Sequence, residues 1–574
     1  MKRTSSLLQG ALASALLFAS LPASAQNTLF GFNALNSNTT GSFNSAFGFS
    51  ALFSNTTGNN NTATGAQSLL FNTTGSNNVA NGYQSLLSNT TGSGNTANGY
   101  QSLISNTTGQ QNTANGASAL YSNTTGTQNT AHGLAALYSN TTGGSNTANG
   151  YQSLYSNTIG DYNTATGSGS LFTNTTGSGN TANGSYALYY NTTGSYNVAN
   201  GYKALYSNTT GNDNTAHGLA ALYSNTTGSS NTANGYQSLY SNTTGNYNAA
   251  NGVNALYYNT TGNGNVANGY YALISNTTGD KNIANGTEAM YSNTTGYYNV
   301  VHGYQALYNN ITGIGNTVNG HQALYKNTAG SSNLAEGYQA LVSSKGHRNV
   351  GLGFKAGFNI TGGSNNIAIA NLGNATDTGV IRIGTTGTHT ATLIAGLNGA
   401  TATGGVAVYI DANGQLGTVT SSRRFKNEIK SMGNVSDKLL QLRPVTFRYK
   451  SADSKGSHPL QYGLIAEEVA KVFPDLVQYD KQGKPFTIYY HLLTPMILNQ
   501  LQKEHAKNAN LNTKFTKLEV ENAMMKATLQ KQSAELASLK QAQAEQQKLL
   551  VKLAAYVQST KPNASIQKVN IVQH

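Results

Sequence analysis

The sequence predicts a mainly β protein with a repetitive β-solenoid rod, a β-rich neck, a small α+β domain and a C-terminal coiled coil. Three observations predict this architecture. Glycines recur with a 17-residue period from Gly31 to Gly337. A basic turn at residues 420–426 separates an almost uncharged region from a charged one. Beyond it, apolar residues recur at alternating steps of four and three from Ile497 to Val557, which is a helical heptad pattern.

The composition is that of an ordered repeat protein rather than an average enzyme. Of 574 residues only 9% are charged and 64 are glycine, yet 38% are hydrophobic. The absence of cysteine excludes a disulfide framework and a thiolate metal site. The net charge of +13 is carried by the N-terminal segment and the C-terminal third. Lysines that alternate with Glu and Gln are typical of a solvated helix face, so no nucleic-acid partner is expected.

Residues 1–25 are predicted to be a secretory signal peptide. Lys2 and Arg3 precede an apolar run from Leu7 to Leu21, and Ala23-Ser24-Ala25 is a small-residue cleavage site. The alternative, a membrane anchor, is less favoured because the run is short and interrupted. No later segment could span a bilayer. The expected product is therefore secreted or held at the cell surface, with no membrane span after signal removal.

Residues 26–345 are predicted to form a β-solenoid of 17-residue units, here called rungs. Positions are counted from each repeating glycine, which is position 0. Position +4 is Leu in every unit except at Met290, +3 is Ala or Ser, +10 is Gly and +15 is Ala or Val. Positions +7 and +13 are Asn in every complete unit. So thin a core closes only when units stack on one another.

Each recurring position of the rung has an expected role. Glycines at positions 0 and +10 are expected to supply positive φ, and the asparagines to bond backbone and stack between rungs. The Asn-Thr-Ala-Asn-Gly piece predicts a short strand. The Gln-Ser-Leu-Tyr-Ser-Asn piece fits either a helical turn or a second strand, and the sequence does not decide between them.

Several rod features suggest ligands, but simpler explanations are favoured. The repeated Asn-Thr-Thr matches a glycosylation acceptor, although turn chemistry explains its recurrence at one position. His132, His217 and His302 lie five units apart, about 24 Å in a stack, so they cannot share a metal. No cofactor or metal is predicted. An ice-binding or glycan-binding solenoid remains an alternative function, and a surface glycan or host receptor an unidentified partner.

Residues 346–420 are predicted to be a β-rich neck. The period breaks after Gly337, and short apolar strands are expected at Ile367–Ala370, Val380–Ile383, Thr390–Leu397 and Val406–Ile410. Glycine and asparagine separate these strands.

Residues 421–495 carry the most specific motifs. Ser421-Ser422-Arg423-Arg424-Phe425-Lys426 is followed by Leu439–Tyr449, by Tyr462–Val469 and by Phe473–Val477, with Tyr489 and Tyr490 behind them. Together these stretches resemble the intramolecular chaperone auto-processing domain at the C-termini of phage tail spikes and tail fibres. Related copies occur in bacterial surface proteins and in a membrane-bound transcription factor of animals. The rod is similar only in style to the head repeats of trimeric bacterial adhesins.

The resemblance implies a homotrimer, a C-terminal domain that drives trimer folding, and release of that domain by self-cleavage. It implies that Ser421 is the nucleophile, that Lys426 is its partner and that the cut falls between Thr420 and Ser421. Ser422 stands where the family often has Asp, which leaves open which serine acts.

The residues of this turn are also chemically suited to that reaction. A serine hydroxyl needs a base to become a good nucleophile, and a lysine serves when burial and neighbouring cations favour its neutral form. Arg423 and Arg424 supply such cations. Attack on the preceding carbonyl would form an ester that water hydrolyses. On spacing alone, a basic turn that caps a helix would be the favoured interpretation.

Residues 496–558 are predicted to be a coiled coil and 559–574 a tail. Polar residues such as Asn508, Asn522 and Gln532 interrupt the apolar seam and can fix register and strand number. The alternative is one amphipathic helix folded back on the domain. The predicted function is therefore an exported trimeric fibre with a self-cleaving chaperone, a single-turnover serine endopeptidase. The alternative is a structural surface adhesin whose trimerisation domain stays attached.

Overall fold

A computed structural model of the chain describes residues 26–397, 402–411, 413–452, 456–480, 482–519 and 525–559. The chain forms two compact units that meet in sequence between Thr390 and Ala391. The predicted signal peptide, residues 1–25, lies outside the described residues, as do residues 560–574 of the predicted tail.

The first unit is one parallel β-ladder, in which each strand pairs with the strand of the next rung. Its 22 strands, β1 to β22, are three residues long. They span Thr28–Phe30, Ser45–Phe47, Thr62–Thr64, Val79–Asn81, Thr96–Asn98, Thr113–Asn115, Thr130–His132, Thr147–Asn149, Thr164–Thr166, Thr181–Asn183, Val198–Asn200, Thr215–His217, Thr232–Asn234, Ala249–Asn251, Val266–Asn268, Ile283–Asn285, Val300–His302, Thr317–Asn319, Leu334–Glu336, Val350–Leu352, Ile367–Ile369 and Ile381–Ile383.

The register of the ladder equals the period of the sequence. Thr96, Ala97 and Asn98 pair with Thr113, Ala114 and Asn115, each one full period further along the chain. With about 4.8 Å between neighbouring strands, 22 strands give a rod about 100 Å long. The β-solenoid that the glycine spacing predicts is confirmed.

The core of the rod is one column of small and medium side chains. In the rung that begins at Gly99, Ser102, Leu103 and Ala114 are fully buried, and the same positions are buried along the rod. One leucine and two small residues cannot enclose a core within one rung, so burial requires the rungs above and below. The predicted thin, stacked core is confirmed.

The undecided stretch between the strands consists of turns rather than a helix or a second strand. Here non-glycine residues adopt left-handed backbone: Gln84 at position +2 has φ 55° and Leu86 at +4 has φ 51°. Position 0 needs glycine for its φ, which is 141° at Gly82. Gly92, at position +10, does not have positive φ, so that part of the prediction is wrong. A Cβ there would collide with its own rung and with the Gly109 carbonyl oxygen, so close packing excludes a side chain.

Buried asparagines form two continuous ladders along the rod. At position +7, Asn89 Nδ2 donates to Asn72 Oδ1 (2.7 Å) in the neighbouring rung and to the Gly92 carbonyl (2.9 Å) in its own. At position +13, Asn95 donates through its backbone N–H to Asn78 Oδ1 (3.0 Å) and through Nδ2 to the Gly109 carbonyl (2.9 Å). Each amide thus satisfies turn carbonyls that the core cannot hydrate.

The period breaks where one turn loses a residue. Ser344 stands at position +7 of the rung that begins at Gly337, so Asn327 Oδ1 receives no hydrogen bond from the next rung and is buried without a partner. Asn349 then follows Asn333 after 16 residues instead of 17, yet its N–H still bonds to Asn333 Oδ1 (2.9 Å). The turn absorbs the deletion, and the strand register survives.

The ladder extends beyond residue 345, where the repeats were expected to end. Strands β20, β21 and β22 continue the parallel pairing through Ile383, so the first half of the predicted neck belongs to the solenoid. The strand expected at Thr390–Leu397 is absent from the structure over those residues, and only the last two residues of Val406–Ile410 form a strand. The regular glycine spacing depends on the length of the turns, which changes near residue 345. Strand pairing depends on the strands themselves, so it continues past this point.

Aromatic rings stack in rows on the rod surface. At position +5, Tyr206, Tyr223, Tyr240 and Tyr257 lie parallel, with neighbouring centroids 5.0–5.1 Å apart. Burial raises the pKa of Tyr206 to about 12, with a further contribution from its hydrogen bond with Tyr190. Neighbouring rings cover each other's faces, so mainly edges remain for outside contacts.

Over its described residues, the second unit contains three antiparallel strand pairs and three α-helices. Strands β23 to β28 span Tyr409–Ile410, Leu416–Gly417, Val445–Phe447, Gln461–Gly463, Val477–Tyr479 and Pro485–Ile488, and pair in that order, two by two. Helices α1 to α3 span Ala466–Val472, Tyr490–Glu519 and Met525–Ser559. Short 3-10 segments occupy Arg423–Phe425, Gly433–Gln441 and Pro474–Leu476. The predicted small α+β region is confirmed.

The core of this unit is small and separate from the rod core. It is formed by side chains of α1, the 3-10 segment that follows it, β27, β28 and the start of α2: Val469, Phe473, Leu476, Val477, Ile488, Leu493 and Met496. One chain therefore buries only a few apolar side chains here, while Leu440, Phe486 and Leu498 remain exposed.

The two long helices occupy the segment in which the heptads occur. Residues 520–524, between them, lie outside the described residues, as does the predicted heptad position Asn522. Lys552 of α3 places its Nζ 4.9 Å from the ring centroid of Tyr462, so the far part of α3 contacts the small domain. Association of these helices into a coiled coil stays a prediction. Within the described residues, no helix combines the length and the apolar character needed to cross a bilayer.

Candidate functional site

A short hairpin precedes the predicted scissile bond. Strands β23 and β24 pair through Tyr409–Gly417 and Ile410–Leu416. Asp411 closes the turn, because its Oδ1 accepts the Gln415 N–H (2.8 Å) and the Asn413 N–H (2.9 Å). These backbone bonds, that from Gln415 foremost, lower the pKa of Asp411. The hairpin is also tied to α2, since the Tyr409 ring lies 4.4 Å from that of His491.

A single 3-10 turn brings Ser421 and Lys426 together. The Phe425 N–H donates to the Ser422 carbonyl (3.0 Å) and the Lys426 N–H to the Arg423 carbonyl (3.1 Å). This tight winding reverses the chain between the two residues. Lys426 Nζ consequently donates to Ser421 Oγ at 3.2 Å. The structure thus places the two predicted site residues in contact, with Thr420 directly before the serine.

The site is open to solvent in the single chain. Residues 417–431 are all exposed, including Ser421 and Lys426. The Arg424 guanidinium carbon lies 4.6 Å from the ring centroid of the equally exposed Phe425. Among the described residues, no hydrogen-bond donor contacts the Thr420 carbonyl oxygen, which would carry the negative charge in acyl transfer. The hydroxyl of Ser421 and the amine of Lys426 are therefore in contact, but in the single chain they lie in water rather than in a desolvated site.

The segment that follows the dyad is fixed to α2 by polar contacts. Ser436 is fully buried; its Oγ donates to Gln500 Oε1 (3.0 Å) and accepts from Asn499 Nδ2 (2.7 Å). Nearby, Lys503 forms a 2.6 Å ion pair with Asp437. These residues are separated by more than sixty positions in the sequence, so the contacts link the dyad segment specifically to the long helix.

A second set of contacts locks the small domain onto the beginning of α2. Tyr490 Oη accepts the Leu464 N–H at 3.0 Å, and burial raises the pKa of this phenol. Gly463 leaves room for the hydroxyl, since a Cβ there would lie 2.9 Å from Tyr490 Oη. Desolvation lowers the pKa of the neighbouring His491. The junction between domain and helix is therefore closely packed and partly dehydrated.

Sequence reasoning did not find the Ser436 network or the role of Tyr490. Ser436 sits in a polar stretch, and only its partners far along the chain reveal that it is buried. Tyr490 belongs to the quoted motif, but its bond to Leu464 has no local signal. Among the described residues, no group of histidines and carboxylates could hold a metal ion.

Comparison with known proteins finds one family model that matches the segment beginning at Ser421. Residues 421–478 match the model of the peptidase S74 family, described as chaperone of endosialidase. The match begins at Ser421 and ends within β27. No curated protein and no solved structure matches the chain. The chain therefore carries a chaperone-of-endosialidase domain behind a solenoid rod, and the resemblance drawn from its motifs is confirmed.

Proposed function

We propose that this protein is an exported homotrimeric fibre whose chaperone-of-endosialidase domain aligns three chains and then cuts itself free between Thr420 and Ser421. The rod is the lasting product, and the C-terminal unit is the device that assembles it. The observation that carries the cleavage is the 3.2 Å contact between Ser421 Oγ and Lys426 Nζ directly after the expected scissile bond.

The proposed reaction is an acyl shift followed by hydrolysis. Neutral Lys426 takes the proton from Ser421 Oγ, and Oγ attacks the Thr420 carbonyl carbon. The Lys426 ammonium then gives this proton to the Ser421 nitrogen as its C–N bond to Thr420 breaks, so the nitrogen leaves as an amine and an ester joins Thr420 to Ser421 Oγ. Water cleaves the ester, which yields a Thr420 carboxylate and restores the serine hydroxyl.

Activation belongs to the assembled state in this proposal. A lysine acts as a base only in its neutral form, which desolvation and neighbouring cations favour. Arg423 and Arg424 supply cations, but the whole turn is exposed in one chain. The exposed Leu440, Phe486 and Leu498 give the same unit apolar surface for association with its copies. Association would exclude water and couple the cut to completed assembly.

Residues 1–25 support export and extracellular placement, because their charged start, apolar run and small-residue end have the form of a signal peptide. The rod that follows has few charges and no cysteine, so no disulfide has to form after export.

Expression of the full chain and of two variants tests the cleavage. The wild type should give two products on a denaturing gel, and mass spectrometry should find one that ends at Thr420 and one that begins at Ser421. Ser421→Ala and Lys426→Ala should each leave a single intact chain. Ser422→Ala and Lys430→Ala change neighbouring exposed residues and should cleave normally.

An adhesin that keeps its trimerisation domain is the second candidate, and the exposure of the dyad favours it. Under that function the wild type stays whole even after trimers form. Cleavage that persists in Ser421→Ala but stops in Ser422→Ala would move the nucleophile by one residue and contradict the assignment of Ser421.

A further inference from the structure

The two ends of the solenoid are built differently. The last rung contains a bidentate ion pair, in which Arg382 donates to Asp377 at 2.6 and 2.7 Å, and the Asp377 side chain is only 5% exposed. Its loop is also shortened, since Ile381 pairs with Ile367 although it lies less than one full period further along the chain. Within residues 26–397, the first rung has neither feature, and strand β1 is an edge of the ladder because it pairs with β2 alone.

In the part of the chain that the structure describes, the first rung has backbone N–H groups without partners. Elsewhere the N–H groups at positions 0, +2 and +12 donate to the preceding rung; those of the second rung bond to the carbonyls of Phe30, Phe32 and Ser42 at 2.8–3.0 Å. The equivalent N–H groups in the first rung are those of Gly31, Asn33 and Phe43. Among the described residues, no carbonyl of a preceding rung accepts a hydrogen bond from them. An unpaired strand edge of this kind is a template for another strand.

The core is also open at this end. Position +15 is a fully buried alanine or valine along most of the rod, as at Ala46. In the first strand it is Leu29, which is larger and 43% exposed. A large apolar side chain is therefore partly exposed at this end of the rod.

Phenylalanines surround this open end. Phe30 and Phe47 occupy position +16, which is mostly Asn elsewhere, and Phe32 and Phe49 occupy +1, which is often Tyr. Phe30 is 76% exposed and Phe32 is 72% exposed, so neither ring folds over the end as a cap. The first Asp, Glu, Lys or Arg after Gln26 is Asp161, so no charge at this end of the rod repels an apolar partner.

The distribution of these rings favours a partner that binds end-on. Phe43, at position +12, lies just before strand β2, whereas Phe32 lies just after β1, so exposed rings flank the strand ladder on both sides. Lateral packing of rods would need them along one side. The stretch before Gly31 does not carry the repeat pattern, since it has Ser14, Leu21 and Ser24 where the repeat requires Gly, Asn and Gly.

We propose that the N-terminal end of the rod is a docking site for an extended, uncharged, apolar segment of a partner protein, which joins β1 as an additional strand. Backbone bonding to the free edge would provide affinity, and the phenylalanines would select apolar side chains. This site lies at the first rung of the solenoid. Binding of a partner there is a function additional to the fibre function proposed above.

A short fluorescent peptide of alternating valine and threonine tests this site on the purified full chain by fluorescence anisotropy. It should bind saturably with one site per chain. A variant that restores the repeat residues (Phe30→Asn, Phe32→Tyr, Phe47→Asn and Phe49→Tyr together) should weaken binding about tenfold or more. Phe354→Tyr, which changes an exposed ring near the other end, should leave binding unchanged.

Backbone pairing is tested separately with the same peptide carrying N-methyl groups on alternate residues, which removes hydrogen-bond donors but keeps the side chains. Its binding should be lost. The proposal is overturned if neither peptide binds, if the methylated peptide binds equally, or if the restored variant binds as well as the wild type. It is also overturned if sedimentation shows rods joined through this end, or if the secreted chain retains residues 1–25 as a cover for it.

Discussion

The rod and the C-terminal unit differ in whether their stabilising contacts recur along the chain. In the rod, Asn208 bonds to Asn191 and Asn225 bonds to Asn208, and the same pair recurs in nearly every rung. In the C-terminal unit, Ser436 meets Gln500 and Tyr490 meets Leu464, and neither contact recurs. If rungs paired one step out of register, almost all of these contacts would form again, because the rungs are nearly identical. A C-terminal unit packed out of register would lose its contacts, because none of them recurs. Repetition therefore stabilises the rod without fixing one register, and under the proposed function the non-repeating unit fixes it.

The largest expected effect comes from removing the non-repeating unit. A gene that ends at Thr420 should give rods of mixed assembly, because nothing then selects among equivalent registers. Size-exclusion chromatography with light scattering should show a broad distribution of masses. Full-length Ser421→Ala, which keeps the unit attached, serves as the control and should give one species. A sharp trimer peak from the truncated chain would break the comparison.

A methyl group between rungs should be the most damaging single change in the rod. Gly201 has φ 145°, and a Cβ there would collide with the Gly218 carbonyl group. Backbone strain and the forced separation of the rungs should together lower the free energy of unfolding of Gly201→Ala by on the order of 4 kcal/mol. Hydrogen exchange should reveal lost protection near that rung. Gly264→Asn is the matched control, because φ 64° suits Asn and only Lys281 Cγ lies within 4 Å.

Loss of one ladder amide should cost somewhat less. Asn208→Ala removes the donor to Asn191 Oδ1 (2.7 Å) and to the Gly211 carbonyl (2.9 Å). Asn191 Oδ1 would then be buried without a partner, whereas the Gly211 carbonyl keeps its bond from Asn197 Nδ2 (2.9 Å), so the region should be destabilised by about 2 kcal/mol. Thr210→Ser, on the exposed part of the same turn, should have little effect. Equal protection against hydrogen exchange in both variants would mean that the hydrogen bonds of the asparagine ladder do not stabilise the rod.

The smallest of these effects concerns the ion pair in the last rung. The hydrogen bonds from Arg382 lower the pKa of Asp377 below its ordinary value of 3.8. Its stabilisation is therefore complete above pH 3.8 and disappears as the pH falls through the lower folded pKa. Asp377→Asn should lose about 1 kcal/mol at neutral pH, since Arg382 is partly exposed.

Thermal unfolding of the wild type and of Asp377→Asn at pH 7 and near pH 3 measures this contribution. The difference between the two should shrink at the lower pH. Asp411→Asn, in the hairpin of the C-terminal unit, should leave this end of the rod unchanged. A constant difference at both pH values would mean that the pair acts by packing rather than by charge.

The sequence predicted the structural features that come from repeated residues, but not those that depend on contacts between residues far apart in the chain. The period, the strand at Asn-Thr-Ala-Asn-Gly, the leucine core and the asparagine ladders all follow from residues that recur at fixed spacing. The left-handed Leu86 could not be foreseen, because neighbouring rungs impose that backbone and leucine itself disfavours it. The continuation to Ile383 was hidden because the glycine pattern fails before the strands do.

The same limit applies to the candidate site. Ser421 and Lys426 are close in sequence, and a single turn brings them together, so their pairing was predictable from the motif. The support from Ser436, Asn499 and Lys503 was not, because those residues meet only after α2 packs on the preceding segment. Spacing predicted the contact between Ser421 and Lys426, whereas tertiary packing provides the contacts that hold their segment on α2.

The uniform register of the ladder also has a consequence for inheritance. Each rung presents the same edge above and below, so duplication or loss of the coding stretch for one rung would leave both new junctions properly paired. Recombination between the near-identical copies could therefore lengthen or shorten the fibre by one step of about 4.8 Å without a new fold. Reach would then be a property that populations can adjust quickly, while the two ends of the molecule stay the same.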